Sequence, residues 1–346
     1  MIAQVTQLPI AALTAMFLVA AGTVWFAGTR LTHVVDQVAR RFGLGQAFAG
    51  MVLLGGITSL PEFAAVATSS ATGNATLAVN NLLGSAAVNV LLLVLADIVF
   101  GRGALTGVVA KPSTLMQGVL GMMLLGVVSV VVLSGDLPIG GVGAGTLFVA
   151  AGGLFALRVS SRYDRRDAWR AVDAPEEEPA PDQDQARSSA SLISGIVALG
   201  ALILVSGAVL SLSADGIATQ AGLSRGLVGF LLVAFATSLP EISSVTEAVR
   251  AGRFQLAVGD IFGTNLFNLS LLIVADLLSG GKPVLAAAGA FEVIGALTAL
   301  LMTGAFVIGL LERRDRAVMR MGYDALAALV IFCVGVAAMA RVMPDS

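Results

Sequence analysis

The chain is 346 residues long, 57% hydrophobic and 12% charged, with a formal net charge of −2 and a mean hydropathy of +0.92. This composition excludes a water-soluble fold, since too few polar side chains are available to cover one, and the near-neutral balance without a basic stripe excludes nucleic-acid recognition. A single cysteine, Cys333, and a single histidine, His33, exclude an intrachain disulfide and a Cys- or His-based zinc centre.

In chain order, apolar runs bounded by charged or turn residues fall at about 8–29, 44–72, 75–100, 113–134, 139–159, 189–212, 223–249, 254–279, 284–311 and 322–342. Each is long enough, at about 1.5 Å per residue, to cross a hydrocarbon layer of ~30 Å. The expected fold class is therefore all-α, a polytopic membrane protein with ten transmembrane helices. No Lys or Arg precedes the first run, whereas Arg30, Arg40 and Arg41 follow it, the reverse of a cleavable signal peptide. Threading the spans from an outside N-terminus leaves only Arg225, Lys282 and Arg341 of the 20 basic residues outside. That asymmetry predicts a multi-pass protein of the inner (plasma) membrane with both termini outside. Cys333, inside the last run, is expected to pack between helices, and His33, just past the first, to be solvated at the interface.

Between the fifth and sixth runs, residues 160–188 begin basic (Arg162, Arg165, Arg166, Arg170) and turn acidic and proline-rich (Glu176, Glu177, Glu178, Pro179, Pro181). Such a segment builds no core and reads as a cytoplasmic linker. It divides the chain into 1–159, 160–188 and 189–346, with five spans on either side.

The two flanking parts are copies. A shift of 179 residues aligns Gly50–Asp97 with Gly229–Asp276 without a gap, with identity at 18 of 48 positions. Thr58-Ser59-Leu60-Pro61-Glu62 becomes Thr237-Ser238-Leu239-Pro240-Glu241, and Gly84, Asn89 and Asp97 fall on Gly263, Asn268 and Asp276. Chance agreement between apolar helices would match Leu and Ala rather than this polar set. Because five spans separate equivalent points, the copies are expected to cross the membrane in opposite directions, as in the inverted repeats of secondary transporters.

The repeated segments carry the chemistry. Glu62 and Glu241 lie within apolar stretches, where a carboxylate facing lipid costs about 2.5–3.5 kcal/mol, so both are expected to face protein, water or a cation. Thr58 sits one helical turn before Glu62 with Ser59 beside it, and Thr237 and Ser238 stand likewise before Glu241. Pro61 and Pro240 are predicted helix kinks that free carbonyls near Ile57, Thr58, Ala236 and Thr237, which is tolerable at that depth only where they line a cavity. The following span of each copy adds a polar stripe at steps of four: Asn81, Ser85 and Asn89, and Asp260, Thr264 and Asn268. Together these are oxygen donors only, a set that suits Ca²⁺ or Na⁺ and not transition metals. One Ca²⁺ neutralises two glutamates, and Na⁺ competes for the same oxygens. Asp260 ranks next after the glutamates, with Asn81 a further candidate. Asp97 and Asp276 are read as vestibule or helix-end acids, and Glu247 as an ion-pair partner near Arg250 and Arg253. No nucleophile–base pair suitable for an enzyme appears.

At these residues, Gly56-Ile57-Thr58-Ser59-Leu60-Pro61-Glu62 with Gly84-Ser85 and Ala236-Thr237-Ser238-Leu239-Pro240-Glu241 with Gly263-Thr264-Asn265, the sequence resembles the sodium/calcium exchanger family of the cation/Ca²⁺ antiporter superfamily. The resemblance covers both repeats and the ten-helix plan. It implies two inverted five-helix repeats whose second and third helices enclose the ions, with the first helix of each half sliding to alternate access. It implies ion ligation by Thr58, Ser59, Glu62, Ser85, Asn89, Thr237, Ser238, Glu241, Thr264 and Asn268, with backbone carbonyls of Gly55 and Ala234 completing subsites. It further implies Ca²⁺/Na⁺ antiport with no cofactor and no obligatory protein partner. Proton-driven Ca²⁺ antiport on the same fold and a passive cation channel are the alternatives. Three features depart from the family pattern: Asn89 and Asn268 are both amides, which disfavours K⁺ cotransport, Ala86 replaces the Asn usual after Gly-Ser, and Asn80 replaces Gly.

Overall fold

A computed structural model of the chain describes residues 5–41, 55–100, 104–109, 112–163, 189–313, 317–318 and 321–342. The first part of the expected second span, up to residue 54, and linker residues 164–188 lie outside the described residues.

The described chain is helical. Eight helices are long and apolar enough to cross a membrane, and nine if the bent pair Arg225–Thr237 and Leu239–Arg250 counts as one span. The expected span at 44–72 is described only from Gly55 onward. The first helix, Ile10–Arg41, outruns its apolar segment because no Gly or Pro interrupts the polar residues after Gly28. Its counterpart Ser189–Ala221 ends at Gly222, whose positive φ of 63° closes the helix.

The sequence did not announce two short antiparallel ribbons, Pro138–Ile139 with Val142–Gly143 and Ala317–Val318 with Met321–Gly322. The first delays the fifth spanning helix, which occupies Ala144–Tyr163 rather than 139–159. Asp136 then caps that helix, its carboxylate accepting Gly145 N at 2.7 Å and Thr146 N at 3.2 Å.

The duplication extends well beyond the motif. Helices beginning at Ile10, Gly55, Leu60, Ala75 and Ala144 recur 179 residues later at Ser189, Ala234, Leu239, Phe254 and Tyr323, and both ribbons keep the same offset. Burial follows the repeat too. The most apolar windows of Ala75–Phe100 and Phe254–Leu278 are 78% and 72% buried, against 28% for those of Ile10–Leu31 and Ser191–Ala221. The third helix of each copy is thus the centre of the molecule, and the two long first helices pair with each other at its edge. Large apolar side chains such as Val19, Met123, Leu133, Phe155, Val205 and Ile308 point outward. In water that surface would be an aggregation liability; in a bilayer it is solvated. Cys333, expected between helices, is on this exposed surface of the last helix.

Asp97 and Asp276 line no vestibule and cap no solvated helix end. Both are buried to about 1% exposure. Asp97 accepts the backbone amides of Leu105 in its own copy and Gly322 in the other; Asp276 accepts those of Val284 and Gly143, at 2.6 and 2.7 Å. Each acid therefore ties the ribbon of the opposite copy to the central helix. Asp97→Ala and Asp276→Ala each strand two buried amides, at about 1–3 kcal/mol apiece. Each should lower the melting temperature of the purified protein by several degrees and by similar amounts; an unchanged transition would show that the ribbons hold without the clamps.

Candidate functional site

The Thr-Ser-Leu-Pro-Glu segments do more than kink. Each breaks the helix outright at its serine: Ser59 has φ −79° and ψ 4°, and Ser238 φ −83° and ψ 9°. New helices start at Leu60 and Leu239, with Pro61 and Pro240 in the first turn, where a missing N–H costs nothing. Glu62 and Glu241 follow in that same turn, at the positive end of the helix dipole. The axis bends by 48° across Ser238.

Each break is braced by the first helix of the other copy. A Cβ on Gly28 would lie 2.5 Å from the Pro240 ring, and one on Gly207 would lie 2.8 Å from the Pro61 carbonyl oxygen. These glycines are repeat equivalents. Gly84, on the central helix, faces Phe230, whose carbonyl oxygen would lie 2.2 Å from an added Cβ, so that helix meets the opposite copy backbone to backbone.

The result is a buried polar cluster shared by both copies. Glu62 and Glu241 are 0% exposed, as are Ser59, Ser85, Asn89, Thr237, Ser238, Thr264 and Asn268, with Thr58 at 2%. Glu62 Oε1 accepts Ser85 Oγ from its own copy at 3.5 Å and Ser238 Oγ from the other at 3.4 Å. Thr237 lies against Glu62, and its equivalent Thr58 against Glu241. Glu241 also stands within electrostatic reach of both Glu62 and Asp260. Asn81 Oδ1 accepts Thr237 Oγ1 at 3.4 Å, and Asp260 Oδ2 accepts Ser244 Oγ at 2.9 Å. The structure thus gathers the two glutamates with Asp260 and with hydroxyls from both copies.

Many of these buried atoms have no hydrogen-bond partner: Glu62 Oε2, both carboxyl oxygens of Glu241, Asp260 Oδ1, Thr264 Oγ1, Asn89 Oδ1 and the whole amide of Asn268. Unpaired buried carboxylates are costly, and a cation is the group that would satisfy them. Among the described residues no three His, Cys, Asp or Glu side chains form a metal-holding cluster. The donors are instead carboxylates interleaved with neutral oxygens. Two backbone expectations read differently. Gly55 opens the short helix Gly55–Thr58, while the Ala234 carbonyl already accepts Ser238 N at 3.0 Å and shares the single Thr237 hydroxyl hydrogen, at 3.2 Å, with Asn81 Oδ1, so its second lone pair is open to a cation only when Thr237 turns to Asn81.

Three features escaped the sequence. Ser244 pairs with Asp260 one turn beyond Glu241, a spacing visible only once the helix breaks are known. Buried Glu292 accepts Asn80 Nδ2 at 2.6 Å and Gly289 N at 2.7 Å; its place inside the apolar run 284–311 was the signal. Asn265 bridges Asn89 and Ala86 across the copies. Glu247, expected as an ion-pair partner, faces His33 on the first helix at 3.6 Å, both side chains about half exposed.

The profile of the family described as sodium/calcium exchanger protein matches residues 12–157 and again 191–340, most of the chain and both copies. The chain belongs to that family. Among curated relatives, a putative antiporter, CaxA, of Alkalimonas amylolytica is 29% identical over 299 residues, 85% of this chain and 89% of that protein. The inner membrane protein YrbG of Escherichia coli (strain K12) is 28% identical, covering 75% of this chain and 78% of its own length. Among solved structures, the sodium-calcium exchanger NCX_Mj soaked with Na⁺ and Sr²⁺ superimposes with a TM-score of 0.62, covering 95% of this chain and 99% of that one at 17% identity. At that identity the likeness establishes the fold alone; with the profile match and the curated relatives the chain is a multi-pass, helical membrane antiporter of the exchanger family.

Removing either glutamate leaves a Ca²⁺ bound beside the other with one buried charge uncompensated. Glu62→Ala and Glu241→Ala should each cost about 3–5 kcal/mol of cation binding, more than about 100-fold in affinity, while the protein still inserts and elutes as a single species. Ser85→Ala should cost only about 1 kcal/mol. Calorimetric titration with Ca²⁺ measures all three, and retained tight binding in either glutamate variant would remove that residue from the site.

Proposed function

We propose that this exchanger-family protein carries Ca²⁺ in one direction and Na⁺ in the other across the inner membrane. In this reading its termini are outside, the 160–188 linker is cytoplasmic, and the site opens alternately to the two sides. The observation that carries the reading is Glu62, a fully buried carboxylate held by Ser85 from one copy and Ser238 from the other, with Glu241 and its unpaired oxygens nearby. Carboxylate, hydroxyl and amide oxygens are the hard donors that Ca²⁺ accepts in sixes to eights at about 2.3–2.6 Å, and Na⁺ accepts the same kinds. One Ca²⁺ neutralises the two glutamates; Na⁺ ions distributed over the carboxylates and the Ser85 and Thr264 hydroxyls do so equally. Full occupancy by both ions in one low-dielectric space is electrostatically costly, and that mutual exclusion is the physical basis of exchange rather than cotransport. NCX_Mj, whose fold this chain shares, is described as a sodium-calcium exchanger with extracellular ion exchange, and its structures were soaked with Na⁺ and either Sr²⁺ or Ca²⁺.

Proton coupling is the second reading, and Asp260 is what favours it. With Glu62 and Glu241 it makes a third buried acid, so Ca²⁺ bound to the site leaves one negative charge that either a proton or Na⁺ would neutralise.

Reconstituted vesicles loaded with Ca²⁺ and placed in separate Na⁺, K⁺ and H⁺ gradients decide between them. Flux driven by the Na⁺ gradient and indifferent to pH and K⁺ supports Ca²⁺/Na⁺ exchange. Flux that follows the pH gradient and ignores Na⁺ assigns the proton reading, and downhill Ca²⁺ flux without any counter-ion points to a channel.

A further inference from the structure

Asn265 hydrogen-bonds amide groups rather than a carboxylate and stands outside the set of expected ion ligands, yet it joins the two copies beside Asn89. Its Nδ2 donates to the backbone carbonyl of Ala86 at 3.1 Å, and its Oδ1 accepts Asn89 Nδ2 at 2.9 Å. The chemistry of this chain of bonds fixes its direction. A backbone carbonyl only accepts, so the NH₂ end of Asn265 must face Ala86. The carbonyl end of Asn265 therefore faces Asn89, and only the NH₂ of Asn89 can meet it. Asn89 is left with its own Oδ1 turned away, buried and without a protein partner.

We infer that Asn265 is a positioning residue: it holds the Asn89 amide so that an oxygen, and never the NH₂ group, is offered to the transported cation. This rests on the exchange reading above. An amide that flips presents two N–H hydrogens to a cation, which is repulsive, and in a buried space the wrong rotamer blocks a coordination position outright. Locking the flip in advance spares that cost on binding.

The other copy lacks this lock. The position equivalent to Asn265 is Ala86, whose methyl side chain cannot bridge, and the equivalent of Asn89 is Asn268, whose Oδ1 and Nδ2 are both buried and unpartnered. Sequence repetition would predict two interchangeable amide ligands. The structure assigns them different duties: Asn89 a fixed acceptor, Asn268 an amide free to turn.

A double-mutant cycle tests this with Asn89→Ala, Asn265→Ala and the pair, in the purified full-length protein. The readouts are the apparent affinity for Ca²⁺ and for Na⁺ from thermal stabilisation, and the concentration for half-maximal flux in vesicles against the maximal rate. Asn265→Ala should raise the half-saturating Ca²⁺ concentration about tenfold with a smaller change in maximal rate, and the double variant should bind no worse than Asn89→Ala alone, because Asn265 acts only through Asn89. Additive losses, or wild-type affinity in Asn265→Ala, would overturn the assignment and leave Asn265 a packing residue. If Asn265→Ala does not elute as a single species, Asn265→Ser, too short to bridge Ala86 and Asn89 together, takes its place in the same cycle. Absence of any Ca²⁺ or Na⁺ response in the unsubstituted protein would instead defeat the exchange reading and this inference with it, whereas a cation response with an additive cycle defeats this inference alone.

Discussion

Two carboxylates sealed from water, without enough hydrogen-bond donors to satisfy them, are the constraint around which this molecule is organised. A carboxylate at such depth is tolerated only where the surrounding backbone is already irregular and its dipoles already oriented. The Thr-Ser-Leu-Pro-Glu segment meets both conditions in five residues. Its serine breaks the helix, its proline starts the next one without needing an N–H partner, and its glutamate falls in that helix's first turn beside the unsatisfied amides. What remains unsatisfied on Glu62 and Glu241 is acceptor capacity, and that is what a hard cation consumes.

Duplication supplies the second glutamate and also the means of holding the pair together. Beside the hydrogen bonds within each copy, several braces around the site cross from one copy to the other. Gly28 and Gly207 sit against Pro240 and Pro61, Ser238 bonds Glu62, and Asp97 and Asp276 clamp the ribbons of the opposite halves. Neither copy closes a site alone, since the hydroxyls that reach Glu62 come from both. The long first helices, largely exposed to lipid along one side, meet the breaks through the Gly28 and Gly207 notches, with Leu60 packed beside Ala27, Leu31 and Ile203 and Ser211 hydrogen-bonded to Ser69 at 2.7 Å.

Much of this was legible in the sequence because membrane helices leave few options. Long apolar runs fixed the spans, the gap-free offset paired Glu62 with Glu241, and steps of four placed Ser85 with Asn89 and Thr264 with Asn268. What escaped notice was governed by local backbone geometry or by contacts between distant elements. Pro61 suggests a kink, but whether the chain bends or breaks depends on Ser59 leaving helical ψ. The ribbons before Ala144 and Tyr323 are two residues per strand, too short for any period to show. Asp97 and Asp276 looked like solvated helix ends because the amides that bury them belong to Gly322 and Gly143, far away in the chain. Cys333 was misplaced because an apolar helix carries no mark of which face meets lipid and which meets protein.

The departures from repetition carry the remaining information. In an inverted-repeat transporter, exchanging the conformations of the two copies converts one access state into the other, so copies identical in every residue would give both states the same energy. Each unequal pair is therefore a contribution to the difference between them. Among the unequal pairs that change polarity, three lie on the central helices: Asn80 with Gly259, Asn81 with Asp260, and Ala86 with Asn265. Asn80 is tied to Glu292, whose equivalent is Ser113, and Asn265 locks Asn89 while Asn268 stays unlocked. Asp260 is the weightiest of these, since it adds a formal charge rather than a hydrogen bond, and it does so next to Glu241 alone. In the proposed cycle the copy containing Glu241 therefore holds cations more by charge and the copy containing Glu62 more by prearranged geometry, and a divalent and a monovalent ion respond differently to those two terms. In that proposed cycle a preference for one ion on one side of the membrane would follow from where the two copies differ, while the buried polar cluster itself follows from where they agree.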